Sequence, residues 1–269
     1  MRTLAAVLFF SAACVLGLST APAGQEPKQP PKKKQKADPR TFRPDAATLK
    51  RIQEKTEELR QAIAGLKAKK IPDDVLVEVE IYLKAAENIV RFEEWLAAAS
   101  VKWTLQTLEE GLERAKLAEG GKAVWRDASG KWVCRAYRSS IDNSIQPYAV
   151  LLPHDYGKDP EKRWRLDIVL HGRDDSLTEA KFIATHKGNA SKDLGYIQLE
   201  PYGRGNNAYR WAGESDVFEA WIPFNWTERD RLGVPVLINR ILLRGFSMGG
   251  AGTWHIGLHH SWIFCVMGP

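Results

Sequence analysis

The residues best suited to chemistry in this sequence are Gly245-Phe246-Ser247-Met248-Gly249, a Gly-x-Ser-x-Gly pattern. An apolar run, Ile241-Leu242-Leu243, leads into it, and the small residues Gly250, Ala251 and Gly252 follow it. That order reads as a strand, a tight turn and the start of a helix. Such a turn lifts one serine hydroxyl out at the end of a strand, where it can attack a carbonyl carbon. Gly245 and Gly249 suit the turn because strand and helix pass too close there for a Cβ. The competing reading is a Gly/Ser loop between two ordinary elements. The apolar strand before the motif and the helix pattern after it favour the nucleophile turn.

A nucleophile needs elements to hold it. Residues 45–120 read as helical: Ile52, Thr56, Leu59, Ile63 and Leu66 recur on one face, with charged residues on the other. Pro72-Asp73-Asp74 separates a second helix carrying Val75, Val79, Tyr82, Leu83, Ala86, Ile89 and Val90. Trp103, Leu105, Leu108, Leu112 and Ala115 suggest a third, ended at Gly120-Gly121. Beyond residue 121 the pattern turns to strands at 132–138, 148–153, 166–170 and 196–199, with a short helix over 176–186. The continuous apolar run Ile168-Val169-Leu170 suits a buried strand. A crossover helix is needed before the strand that carries the serine. Residues 214–221 start one, but Pro223, Gly233 and Pro235 follow with no clear helical stripe.

Two motifs together carry a family resemblance. From about Gln146 to His260 the chain resembles secreted serine hydrolases of the α/β-hydrolase superfamily. It looks like the prolyl oligopeptidase-like group, with poly(3-hydroxybutyrate) depolymerase and feruloyl esterase types among the relatives. The matching stretches are residues 148–153, Leu170-His171-Gly172-Arg173, residues 200–205 and residues 244–260. The resemblance implies an α/β fold: a partial, doubly wound, mostly parallel sheet preceded by a helical segment. It implies attack by Ser247 on a small-molecule ester or peptide carbonyl, an acyl-enzyme, and hydrolysis by water, with no cofactor and no metal. It also implies an oxyanion hole built from the N–H of Met248 and that of Arg173, with Gly172 as the next candidate. His171 then serves to shape the loop by bonding nearby backbone. Residues 202–211 either shape the substrate entrance or form a plain surface loop.

The chain departs from the family in one respect. In this fold the triad's acid and histidine follow the serine along the chain. Residues 248–269 contain no Asp and no Glu. His255, His259 and His260 lie on the helix leading away, with His255 roughly 10 Å or more from the hydroxyl at helical rise. They read as helix residues, and Asp216, Glu219 and His186 precede the serine. The expectation is therefore a chain truncated or frame-shifted relative to a complete hydrolase, weak in turnover. With at most one strand after the serine, Leu242, Leu243, Phe246, Trp262 and Phe264 are expected near an uncovered edge or face. The alternative is a non-catalytic binding or surface-interaction protein on a degenerate hydrolase scaffold.

Length and composition fit a globular protein, with 269 residues and 44% hydrophobic content. The net charge of +6 owes much to Lys28, Lys32, Lys33, Lys34 and Lys36. No aromatic residue is interleaved with them to stack on bases, so they indicate a solvated tether and no nucleic-acid partner. Residues 1–23 read as a signal peptide. Arg2 precedes an apolar stretch over 4–18, too short for a transmembrane span, and Ala21-Pro22-Ala23 offers a cleavage site. The stretch ending at Cys14 lacks the large aliphatic residue of a lipoprotein box. A secreted or periplasmic location is expected. Residues 24–44, rich in Pro and Lys, read as a disordered linker, and residues 121–269 as the hydrolase domain. Cys134 and Cys265 remain after signal removal, and their pairing is left open.

Overall fold

The computed structural model describes residues 42–233 and 236–269. The signal peptide expected at 1–23 and the linker as far as residue 41 lie outside the described residues. At the linker's far end, Phe42 already packs against the core and Arg43 pairs with Glu93 at 3.1 Å.

Three helices come first: α1 (Ala46–Ala68), α2 (Asp73–Arg91) and α3 (Ser100–Glu119). The Asp45 carboxylate accepts from the Thr48 N–H at 2.7 Å and so caps an otherwise unpaired donor of α1. Ile52, Thr56, Leu59, Ile63 and Leu66 form the buried face of α1, as their spacing predicts. α2 is buried on a wider arc that includes Val77, Val79, Ile81, Tyr82 and Ala85. It lies against α1 and α3 and also against the sheet. α3 comes close to α2 at Gly111, where a Cβ would stand 2.7 Å from the Tyr82 Cβ. These helices continue the core that the sheet buries.

Among the described residues the sheet has six strands, in the order β1-β2-β4-β3-β5-β6. They are β1 (Trp132–Arg138), β2 (Ile145–Leu151), β3 (Trp164–Leu170), β4 (Ile197–Pro201), β5 (Val236–Gly245) and β6 (Val266–Gly268). The pairs β1–β2 and β2–β4 are antiparallel; β4–β3, β3–β5 and β5–β6 are parallel. Parallel neighbours need crossovers, and helices α4 (Glu179–Thr185), α5 (Ala212–Leu232) and α6 (Met248–His259) supply them. Pro147 lies inside β2, yet β4 pairing begins only at Tyr148, so its missing N–H takes no bond from that ladder.

α5 differs from the sequence reading. The helix runs without a break from Ala212 through Pro223 to Leu232 and ends on Gly233 in the left-handed conformation. Its buried stripe exists, at Gly213, Asp216, Val217, Ala220, Phe224, Asn225 and Glu228. The spacing is helical, but polar side chains occupy three of the seven positions, which hides the stripe from a hydrophobicity pattern. The two acids are held by arginines: Asp216 by Arg204 at 3.2 Å, and Glu228 by Arg135 of β1 at 3.2 Å and by Arg231 of α5 itself at 2.6 Å.

One further expectation is corrected, and the cysteine pairing left open by the sequence is resolved. Leu243 and Phe264 are buried, because β6 and the turn before it cover that side of β5; Phe246 and Trp262 are exposed as expected. Cys134 on β1 is buried and unpaired, and Cys265 beside β6 is exposed and unpaired. They sit at opposite edges of the sheet, five inter-strand steps or ~24 Å apart, beyond disulfide reach. Burial pushes the Cys134 thiol up to about 12. Among the described residues, no helix is long and apolar enough to cross a membrane.

Candidate active site

β5 ends at Gly245, and α6 begins three residues later at Met248. Ser247 sits between them at φ 57°, ψ −115°, a conformation that L-residues adopt at a cost of about 1–3 kcal/mol. Two backbone bonds lock the turn: Gly249 N–H to the Phe246 carbonyl at 2.9 Å, and Ala251 N–H to the Ser247 carbonyl at 3.1 Å. The result is an exposed serine on the tip of a rigid strand–helix junction.

The two flanking glycines are required by contact. A Cβ on Gly245 would stand 2.4 Å from the Gly249 carbonyl, and a Cβ on Gly249 would stand 1.9 Å from the Leu170 carbonyl oxygen. The second contact joins the turn to the end of β3, whose Leu170 is in register with Gly245. The β3 strand therefore delivers its trailing loop to the serine. A Cβ on Gly172 would meet the Phe246 carbonyl oxygen at 3.3 Å and the Ser247 Cβ at 3.8 Å.

The sequence-predicted residues are distributed as follows. Ser247, Gly245 and Gly249 form the turn. Met248 is the first residue of α6, so its N–H belongs to the helix-start amides that lack an intrahelical acceptor. The positive end of the helix dipole points the same way. Gly172 lies against the serine. Arg173 continues that loop, with its guanidinium paired to Asp175 at 3.1 Å. His171 shapes the loop: its ring nitrogens contact the carbonyl oxygens of Gly172 and Tyr202, each at 3.0 Å.

Residues 202–211 brace this loop. The His171 N–H donates to the Tyr209 hydroxyl at 2.7 Å, and Tyr209 is fully buried. Burial pushes the Tyr209 phenol well above its ordinary value, so the acceptor stays a neutral hydroxyl. Asn206 accepts from the Asp174 N–H at 3.1 Å and donates to the Asp174 carbonyl at 2.8 Å. Arg204, Ala208, Tyr209 and Trp211 all have positive φ. The Gly/Asn-rich composition of the segment signals such a strained turn, but the roles of Tyr209 and Asn206 depend on contacts between distant residues.

A serine hydroxyl needs a base to take its proton. All six histidines of the chain have other positions. His154 contacts the Ala190 carbonyl; His171 contacts Gly172 and Tyr202. His186 reaches the Phe182 carbonyl and, at 2.9 Å, Glu200. His255 and His260 each meet Glu214 at 2.9 Å, and His259 lies edge-on to His255 with ring centroids 4.5 Å apart. Of the upstream acids, Asp216 is held by Arg204, and Glu219 accepts from Ser140. Among the described residues, none of these groups is bonded to the Ser247 hydroxyl.

No family model matches the chain, and no curated protein matches it. Among solved structures it is similar to a ferulic acid esterase, at 22% identity over 52% of this chain and 59% of that chain, with a TM-score of 0.37. It is similar to a mutant of the feruloyl esterase module from Clostridium thermocellum complexed with sinapinate, at 20% identity over 51% of this chain and 52% of that one, TM-score 0.36. A fluorophosphonate-binding serine hydrolase from Staphylococcus aureus is matched at 20% identity over 51% and 55% of the two chains, TM-score 0.34. The chain thus spans between 52% and 59% of the length of these three structures. By its own sheet order and its strand–serine–helix turn, the chain has the α/β-hydrolase fold.

Proposed function

We propose that this chain is a serine hydrolase in which Ser247 attacks the carbonyl carbon of a small ester or peptide. The observation that carries the reading is the serine's position: φ 57° at the end of β5, first in line with α6, with the Gly172 loop against it. The Oγ–carbonyl bond forms as the C=O π electrons move to oxygen. The N–H groups of Met248 and of Arg173 or Gly172 then face the negative oxygen, aided by the α6 dipole. Collapse expels the alkoxide or amine, which takes a proton, and leaves acyl-Ser247; water then releases the acid.

The proton of the Ser247 hydroxyl finds no histidine among the described residues, so it passes to water in this reading. An oxyanion hole acting without its triad retains about 10³–10⁴-fold acceleration over the uncatalysed reaction. The 269 residues alone are therefore expected to hydrolyse activated esters slowly. The test is hydrolysis of p-nitrophenyl acetate by the wild type and by Ser247→Ala. A slow rate that disappears in the variant supports the reading. Equal rates in two folded proteins would instead favour the non-catalytic binding alternative.

Export is part of the same proposal. It is supported by Arg2, the uncharged apolar stretch over 4–18 and Ala21-Pro22-Ala23. Expression with secretion should yield a mature chain beginning at Gly24. Retention of Met1 after export conditions would contradict it.

A further inference from the structure

We propose that Glu214, His255 and His259 form a binding site for a divalent transition metal of the zinc class, on the flank where the start of α5 meets the end of α6. Their ligand-capable atoms all lie within 4.8 Å of one another. His255 and His259 are four residues apart on α6, the spacing that puts two imidazoles on one helix face. Their ring centroids are 4.5 Å apart. Glu214 comes from a different helix, and its Oε2 is already 2.9 Å from His255 Nε2.

The donor set selects the metal. Two imidazoles and one carboxylate suit zinc, nickel or copper, whereas magnesium and calcium require oxygen ligands. Three donors at ~2.1 Å from a tetrahedral ion lie about 3.4 Å from one another, so the site closes with a shift of about an ångström or so. His259 is the exposed member and has room to make that shift. Water would fill the fourth position.

His260 completes the arrangement without binding the ion. Its Nε2 contacts the other carboxylate oxygen of Glu214 at 2.9 Å. Phe218 lies edge-on to the His260 ring at 4.7 Å, and Trp262 at 5.4 Å. Such an orienting contact fixes a ligand carboxylate and is typically worth 10–100-fold in affinity.

The site is separate from the serine. His255 is eight residues along α6 from Ser247, about 12 Å at 1.5 Å per residue. The ion's effect would be to pin α5 to α6 behind the Ser247 turn.

The test is zinc titration of the untagged chain by competition with a chromogenic chelator, together with melting curves. One zinc per chain should bind and raise the melting temperature, and magnesium should do neither. His259→Ala and Glu214→Gln should each weaken zinc binding at least tenfold, and His260→Ala should weaken it by a smaller factor. His259 is exposed, so its variant should melt like the metal-free wild type, which separates lost binding from lost folding. Absence of stoichiometric zinc binding would overturn the proposal. So would binding unchanged in both His259→Ala and Glu214→Gln, or equal binding of magnesium.

Discussion

At the scale of single residues, the turn at Ser247 makes opposite demands on neighbouring positions. Gly249 tolerates no Cβ, because the Leu170 carbonyl oxygen stands 1.9 Å from where it would lie. Gly249→Ala is expected to destabilise the protein by more than about 3 kcal/mol, since backbone must move and the clash cannot relax through a side chain. Urea denaturation checks this. Ser247 is strained in the reverse sense: its φ of 57° suits glycine better than serine. Ser247→Gly should raise stability by roughly 1 kcal/mol while abolishing ester hydrolysis. A variant less stable than the wild type would argue against strain at the nucleophile. Both the serine and its glycines are legible in the sequence, because Gly-x-Ser-x-Gly between a strand pattern and a helix pattern has few other uses. Tyr209 and Asn206 are not legible, because each acts on a loop more than thirty residues away in the chain.

At the scale of elements, legibility follows burial chemistry. α1, with its apolar buried stripe, and β1, at Trp132–Arg138, emerge from periodicity alone. α5 does not, because its buried stripe is built around Asp216 and Glu228, which are paired with Arg204 and Arg135 from outside the helix. The same network reaches α2. Glu78 is bonded to Arg135, to Arg126 at 2.9 Å and to the Trp125 indole N–H at 2.6 Å. Arg135, itself 2% exposed, bridges Glu78 on α2 to Glu228 on α5 across β1. Removing it takes one cationic partner from each of two buried carboxylates, which keep Arg126 and Arg231 respectively, so Arg135→Met should cost about 1.5–3 kcal/mol in chemical denaturation.

The network also sets a pH dependence. Burial alone would raise the Glu78 carboxyl, but the guanidinium groups of Arg135 and Arg126 hold it below its ordinary value. Burial likewise opposes the lowering of Glu110 by Arg114 and of Glu200 by His186. A carboxyl held low binds its proton more weakly in the folded than in the unfolded chain. Its stabilisation is therefore complete above the unfolded value, about 4.3 for Glu, and is lost as pH falls through the folded value. Melting temperature should hold between pH 6 and 7 and drop steadily below about pH 4.5. A profile flat down to pH 3 would contradict the network's role.

At the scale of the whole molecule, five of the exposed large apolar side chains fall between residues 246 and 266. Phe246 is 82% exposed, Trp262 77% and Leu258 62%, and Trp254 and Val266 are half-exposed beside them. They lie on the Ser247 turn, on α6, on the turn after it and on β6, whose outer edge is unpaired among the described residues. Contiguous exposed apolar surface next to an open strand edge favours association. The chain should therefore bind a hydrophobic dye and elute from gel filtration as a concentration-dependent mixture. A sharp monomer peak at high concentration would contradict this. The sequence already indicates an apolar surface around the serine strand. It does not indicate which residues β6 covers, because a three-residue strand has no period of its own to read.

The central claim is that Ser247 is a mounted nucleophile without a histidine among the described residues. Intact-mass measurement after exposure to a fluorophosphonate probe tests it most directly. The account predicts one slow adduct per chain, mapped to Ser247 and absent from a folded Ser247→Ala variant. A folded wild type that stays unlabelled, or an adduct that survives the Ser247→Ala substitution, would contradict it.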